Sequence, residues 1–490
     1  MKFLCLLSTV LLIWSCTVEQ KMESVPENFP SRPAFHFTPE KNWTNDPNGL
    51  VYLDGEYHLF YQYNPYGKTW GHMSWGHAVS KDLLHWEHLP VALEEYLDPV
   101  TKDSTMIFSG TVVIDENNTS GFGKNAMVAI YTSHVHKDNQ GLMQHQSLAY
   151  STDKGRTWKR HNKNPIVNIN RRDFRDPKVF WYEREKKWVM VLVVPDLFKA
   201  QFYESKNLTE WKLMSEFGNA GDTLRIWECP DLFELPVGNE SGKTKWVLSL
   251  SGSHPSGPEF VGMQYFIGAF DGKKFVADDT KPLYVNYGKD FYAGIVYNHL
   301  PAEQNRTIMI GWANNWTYAN QIPAAEWRGV MAIPRELSLR KINDRYQLIQ
   351  KPVSELIMLR GEEINSLTGL EKKFELEVEL NGYEVEGVQI GSDSSNYVII
   401  GYDYDDKKLF LDRRHAGDTN FHPAFAAIDS KVIDEGKKFK LKIFLDEYIL
   451  EVFTADGSVS ITDLTFLRGR VNINTIGDKM GVRVKAWKIK

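Results

Sequence analysis

A chain of 490 residues is longer than one ordinary hydrophobic core serves, so two domains are expected. Its formal charge of −6, from 57 basic and 63 acidic side chains, supplies no basic surface for nucleic acid, and no such partner is expected. With 42% hydrophobic and 24% charged residues, the composition is that of a soluble globular protein.

The N-terminus reads as a leader. Lys2 precedes an apolar run from Phe3 to Trp14 that is too short to span a bilayer comfortably. The run ends in Ile13-Trp14-Ser15-Cys16, a small residue before a cysteine, which resembles a bacterial lipobox with Trp14 as an unusual member. The expectation is a lipoprotein signal region over residues 1–16, lipidation at Cys16 and a tether over 17–31. An ordinary signal peptide with an incidental cysteine is the alternative. Both imply export, with membrane association only through a lipid anchor. Cys5, Cys16 and Cys229 are the sole cysteines, and processing leaves Cys229 alone in the folded body. That excludes an internal disulfide and zinc sites built on cysteine pairs.

Beyond the tether one short apolar strand recurs, at residues 56–62, 126–131, 187–192, 245–250 and 306–312. The copies lie roughly 60 residues apart, and turn formers such as Asp54-Gly55 and Ser241-Gly242 precede some of them. The period predicts an all-β fold beginning with a five-bladed β-propeller over residues 32–340. After Leu337 the pattern changes to period-two strands, at 374–380, 441–445, 450–453 and 482–487. These predict a C-terminal β-sandwich over 360–490, with the linker between Leu337 and Glu362. There is no nucleotide-binding glycine loop and no internal transmembrane segment.

Three acids stand in rigid frames: Asp46 in Trp43-Thr44-Asn45-Asp46-Pro47-Asn48-Gly49, Asp176 in Arg175-Asp176-Pro177, and Glu228 in Trp227-Glu228-Cys229-Pro230. These acids, the Phe108-Ser109-Gly110 turn and Asp290 each precede a repeat strand by about 10 to 20 residues. Each therefore falls early in its blade, on the innermost strand, and the five positions are expected to converge at the mouth of the central channel. Taken singly, an Asp-Pro step is a common turn and a Glu beside Trp a common strand residue. The shared phase is what sets them apart.

Glycosidic cleavage with retention needs two carboxyl groups across the bond, an ionised nucleophile and an acid that later activates water. Asn45 and Asn48 are expected to keep Asp46 charged, which suits a nucleophile. Trp227 and Cys229-Pro230 give Glu228 an apolar setting expected to raise its pKa, which suits the acid. Arg175 is expected to lower the pKa of Asp176 and leave an anion that holds sugar hydroxyls and steadies a cationic transition state. His72 and His77 lack a carboxylate at ligand spacing, so no metal is expected.

These motifs resemble glycoside hydrolase family 32, the β-fructosidases, which comprise levanases, inulinases and invertases. Further matches are Phe60-Tyr61-Gln62-Tyr63-Asn64-Pro65, Trp75-Gly76-His77-Ala78, Asp290-Phe291-Tyr292-Ala293 and Trp327-Arg328-Gly329. By that resemblance Asp46 is the nucleophile, Asp176 the transition-state stabiliser and Glu228 the acid/base. Trp43, Asn45, Gln62, Trp70, Phe108, Ser109, Arg175 and Trp312 are similar to the family's sugar-pocket residues. The implied substrate is a fructan or fructose-containing oligosaccharide, and no cofactor is needed because every reacting group is a carboxyl. The sandwich resembles the family's C-terminal domain through Leu409-Phe410-Leu411-Asp412-Arg413. It departs where the family has a Ser-Ser-x-Glu run; residues 447–453 stand there instead, which weakens a sugar-binding role for that domain. The segment from Trp70 to His77 looks more like levanases and inulinases than cytosolic sucrases. The resemblance implies a retaining hydrolase of β-fructosidic bonds in levan or inulin, with sucrose as a further substrate, releasing terminal fructose. An endo-levanase, a fructosyltransferase, an inverting glycosidase acting on pentose polymers and a non-enzymatic fructan-binding protein stay open as alternatives.

Overall fold

The computed structural model describes residues 31–490, apart from positions 99, 139, 258, 325, 343, 383, 434–437 and 478–480. The signal region, Cys16 and the tether as far as residue 30 lie outside the described residues.

Five successive sheets occupy residues 42–352. Their inner strands are Asn42–Leu53, Ser104–Asp115, Arg175–Tyr182, Glu228–Pro236 and Tyr292–Val296. Each of these touches the next, and the fifth returns to the first, so the sheets form a closed ring. Trp327–Arg328, from late in the ring, pairs in parallel with the start of Asn42–Leu53 and fastens the closure. The recurrent apolar strands are those that pair with the inner strands. Lys187–Val194 shows why they are apolar throughout: Val189, Val191 and Val193 enter one inter-sheet core, while Trp188, Met190, Leu192 and Val194 enter the next. A sheet covered on both faces needs apolar residues at both parities.

All five inner strands break register at the same height. In each, two residues oppose one on the neighbouring strand. The breaks fall between Thr44 and Pro47, Ile107 and Gly110, Arg175 and Lys178, Glu228 and Asp231, and Tyr292 and Ile295. Such β-bulges leave an extra residue unpaired and re-aim its side chain. Asp176, Cys229 and Ala293 take up positive φ there, at 63°, 45° and 53°. The freed N–H groups find side-chain acceptors: Asp176 donates to Thr132 Oγ1 at 2.9 Å and Ala293 to Ser251 Oγ at 3.0 Å. Pro177 and Pro230 sit inside the breaks, where the missing ladder donor costs nothing. Gly49 is required by packing as well as by its φ of 54°, since a Cβ would stand 2.7 Å from Val112 and 2.8 Å from Phe60.

The propeller limit expected at residue 340 falls inside the fifth sheet. Arg335–Ile342 turns back into Arg345–Pro352, and a 3-10 turn, Ser354–Leu359, then leads to Arg360–Glu363. The strand Arg345–Pro352 carries little strand signal in the sequence because its opening residues, on the outer edge, are mostly polar. The C-terminal sandwich packs a six-stranded sheet on a five-stranded one around a core that includes Phe374, Leu376, Ile400, Leu411 and Ile443. It is bonded to the propeller through buried charges. Arg335 pairs with Glu451, and Asp446 accepts the backbone N–H groups of Ala34, Phe35 and His36.

Candidate active site

The five breaks surround the floor of one cavity of about 430 Å³, within the range usual for small-molecule sites. Asp46, Asp176 and Glu228 line it, together with Asn45, Gln62, Trp70, Phe108, Ser109 and Arg175. Residues far apart in the chain are thus brought together by one repeated backbone device.

Asp46 is buried among donors. Its Oδ1 accepts Asn45 Nδ2 at 3.0 Å; its Oδ2 accepts Ser109 Oγ at 2.6 Å and the Cys229 thiol at 3.4 Å. Burial raises its pKa above the usual carboxylate value, opposed by Ser109 and Asn45 and assisted by the charge of Glu228. Asn48 does not contribute as expected. Its amide donates to the Asp46 backbone carbonyl at 3.1 Å and its carbonyl accepts Gly110 N–H at 3.1 Å, so it braces two neighbouring breaks.

The expectation for Asp176 is reversed. Burial pushes its carboxyl up to about 7, with Arg175 opposing and Glu228 adding to the rise. Arg175 is turned towards another partner: its Nη2 lies 3.0 Å from Glu228 Oε1, while its Nε is 3.8 Å from Asp176 Oδ2. Asp176 Oδ2 accepts the Cys229 N–H at 3.0 Å instead. Although burial disfavours its charge, Arg175 is held firmly protonated by Glu228, Asp176 and Asp173.

Glu228 also differs from expectation in its surroundings. Trp227 points into an inter-sheet core, and its indole N–H donates to the Asp222 carbonyl at 2.9 Å. The Glu228 carboxylate meets polar groups: Arg175 on Oε1 and the Tyr292 hydroxyl, at 2.5 Å, on Oε2. Strand alternation is the reason, since neighbours in sequence face opposite sides.

A raised carboxyl makes a stability statement with a definite sign. The folded state binds a proton more tightly than the unfolded chain, so the contribution is present below the ordinary carboxylate value and lost as pH rises towards about 7. Asp176→Asn is therefore expected to raise Tm at pH 7.5 by a few degrees, and by less at pH 4.5. Thermal denaturation at the two pH values checks it; an equal or lower Tm for the variant at pH 7.5 would refute it.

Not every expected sugar-pocket residue reaches the cavity. Trp43 and Trp312 are completely buried. They pack on each other at 5.9 Å, and both rest against Trp316. Trp43 Nε1 donates to Asn45 Oδ1 at 2.7 Å and so holds the amide beside Asp46. Trp316 lines the cavity alongside Trp70. It lies in a turn with no periodic pattern, and sequence reasoning missed it. His134, stacked on Phe108 at 4.4 Å, Gln144, Asp173 and Tyr292 were missed as well. Only Tyr292 carried a signal, its place next to Phe291 in a quoted motif. Trp70 stands at the rim, 41% exposed, edge-on to Phe108. Gln62 anchors its amide on the Ile107 carbonyl at 3.0 Å. His72 pairs with Glu95 and His77 with His58, both in hydrogen-bonding contacts.

Three carboxyl groups in one ring-walled cavity, with amides and a guanidinium to read hydroxyls, define a glycoside hydrolase carried on a β-propeller. Comparison with known proteins agrees. The profile described as the glycosyl hydrolases family 32 N-terminal domain matches residues 36–352, and the family's C-terminal profile matches residues 338–486. A levanase of Bacillus subtilis is 44% identical over 94% of this chain and 70% of its own length. An extracellular exo-inulinase of Aspergillus niger is 39% identical over 89% of this chain and 90% of its own. The crystal structure of an exo-inulinase from Aspergillus awamori superposes with a TM-score of 0.86 at 36% identity, covering 94% of this chain and 98% of that one. The chain belongs to glycoside hydrolase family 32.

Proposed function

We propose that this β-fructosidase is an exported, retaining enzyme that removes terminal fructose from fructans. The observation that carries the reading is the meeting of Asp46 and Glu228, from two different inner strands, at one cavity. Asp46 attacks the anomeric carbon while Glu228 gives its proton to the departing oxygen. An ester to Asp46 forms, and Glu228 then takes a proton from water, which cleaves the ester from the same face. Asp176 holds ring hydroxyls, and the positive charge growing on the sugar draws it towards its ionised form. Asn45, Gln62 and Arg175 read hydroxyls, while Trp70, Phe108 and Trp316 wall the ring.

The channel beneath the acids is crossed by an ion pair. Below the acids, Lys178 donates to the Val296 carbonyl and pairs with Asp231 at 3.1 Å, which fills the channel among three inner strands. The relatives named exo-inulinase and levanase support terminal attack and fructan as the substrate class. Chromatography of products over time decides: fructose alone from levan and inulin is expected. An early ladder of oligomers would overturn terminal attack, and oligosaccharides longer than the substrate at high sucrose would overturn hydrolysis.

Export and anchoring rest on the leader and on relatives named as extracellular. Labelled palmitate is expected to enter the protein and to be lost in Cys16→Ser; labelling that survives the substitution would remove the anchor. We put the division between the two units in the segment from Val353 to Leu359; that Arg345–Pro352 pairs within the fifth sheet supports it.

A further inference from the structure

One side chain of the sandwich is built into the support of the active-site wall. Arg413, on the strand Lys408–His415, is completely buried. Its Nη1 donates to Asp290 Oδ2 and, at 3.2 Å, to the Leu464 carbonyl. Its Nη2 donates to the Tyr318 hydroxyl at 2.8 Å, and that hydroxyl donates to Asp290 Oδ1 at 2.6 Å. The result is a closed triangle of one sandwich residue and two propeller residues. The Leu464 N–H adds a further donor to Asp290 Oδ2 at 2.8 Å, and Phe425 lies 4.2 Å beneath the guanidinium.

Both propeller corners of the triangle sit beside residues of the cavity. Asp290 is two residues before Tyr292, whose hydroxyl donates to Glu228 Oε2. Tyr318 closes a turn on the Asn315 carbonyl at 3.1 Å, and Trp316, which lines the cavity, lies within that turn. The Asn315 amide donates to the carbonyls of Lys289, at 2.7 Å, and Val261, at 3.0 Å, so the turn and the approach to Tyr292 move as one body.

A buried ion pair is a poor way to gain cohesion, because desolvation offsets much of the Coulomb attraction and apolar contacts hold domains together at less cost. What a forked guanidinium supplies is fixed geometry. We propose that Arg413 is a positioning residue for the reaction. Across the domain boundary it fixes Asp290 and Tyr318, and through them it sets the Tyr292 hydroxyl on Glu228 and Trp316 on the cavity wall. The inference rests on reading Glu228 as the acid/base.

The test uses Arg413→Lys, which keeps the charge but loses the fork, and Tyr318→Phe, which keeps the volume but loses the link. Each is expected to lower kcat roughly 10- to 100-fold with the circular dichroism spectrum retained, and to raise KM several-fold through Trp316. The alkaline limb of the kcat/KM profile moves to higher pH, because a donor to the Glu228 carboxylate is displaced. The other groups facing Glu228, namely Arg175, Asp46, Asp176 and Cys229, are unchanged in these variants. Tyr292→Phe alone reproduces the limb shift, and adding Tyr318→Phe to it produces no further shift. A lowered Tm with kcat and the limb unchanged would make Arg413 structural only, as would limb shifts that add in full; where Arg413→Lys does not fold, Tyr318→Phe decides. Glu228→Gln is measured alongside: if it stays active the acid/base reading fails, whereas an inactive Glu228→Gln with unmoved limbs refutes the positioning role alone.

Discussion

Replacing Asp46 by asparagine is expected to lower kcat/KM on levan and inulin by at least about 10⁴-fold. The amide is nearly isosteric: its oxygen can accept from Asn45 Nδ2, and its NH2 can donate to Ser109 Oγ once that hydroxyl turns. It cannot form the ester. No other group takes its place. Asp176 is held by the Cys229 N–H at the next strand break, and Glu228 is engaged by Arg175 and Tyr292. Removing a buried carboxyl whose charge is disfavoured also relieves the folded state, so Tm at neutral pH should hold or rise. Initial rates with Tm on the same samples are the measurement. A folded variant within about tenfold of the parent rate would dismiss Asp46 as the nucleophile.

Glu228→Gln is expected to cost about 10² to 10⁴ in kcat on natural fructans, the usual worth of a positioned acid. The loss depends on the leaving group. A fructosyl fluoride departs as fluoride without needing a proton, so its first turnover should remain fast. The second step then lacks its base, and the fructosyl unit should accumulate as an ester on the peptide that carries Asp46, visible by mass spectrometry. Equal losses on the fluoride and on inulin would contradict an acid role. An adduct on a different peptide would move the nucleophile elsewhere.

The β-rich architecture and the gathering of the three acids were legible in the sequence for a shared reason. The strand that pairs with each inner strand is buried on both faces and therefore apolar throughout, which makes a repeat visible, and the acids keep a constant phase to it. What lay hidden was set by tertiary contact. Trp43 and Trp312 look like Trp70 as letters, yet two stand behind the pocket and one at its rim. Trp316 sits in a turn without periodicity. The ionisation of Asp176 was misjudged because adjacency in the chain suggested a pairing with Arg175 that the structure gives to Glu228. The outer strand Arg345–Pro352 was missed because its opening residues are mostly polar.

The register breaks have a consequence for how such a site can be altered. Five breaks with the same register offset stand around the floor; three display an acid at the break or at its edge, one displays Phe108 and Ser109, and one displays Ala293 and Gly294. The register break is therefore common to the strands that carry an acid and to those that do not. The fifth break, which carries no acid, is restricted in what it could present: position 293 has a φ of 53° that suits asparagine or aspartate better than branched residues, and a Cβ at Gly294 would stand 3.0 Å from the sulfurs of Met263 and Met309.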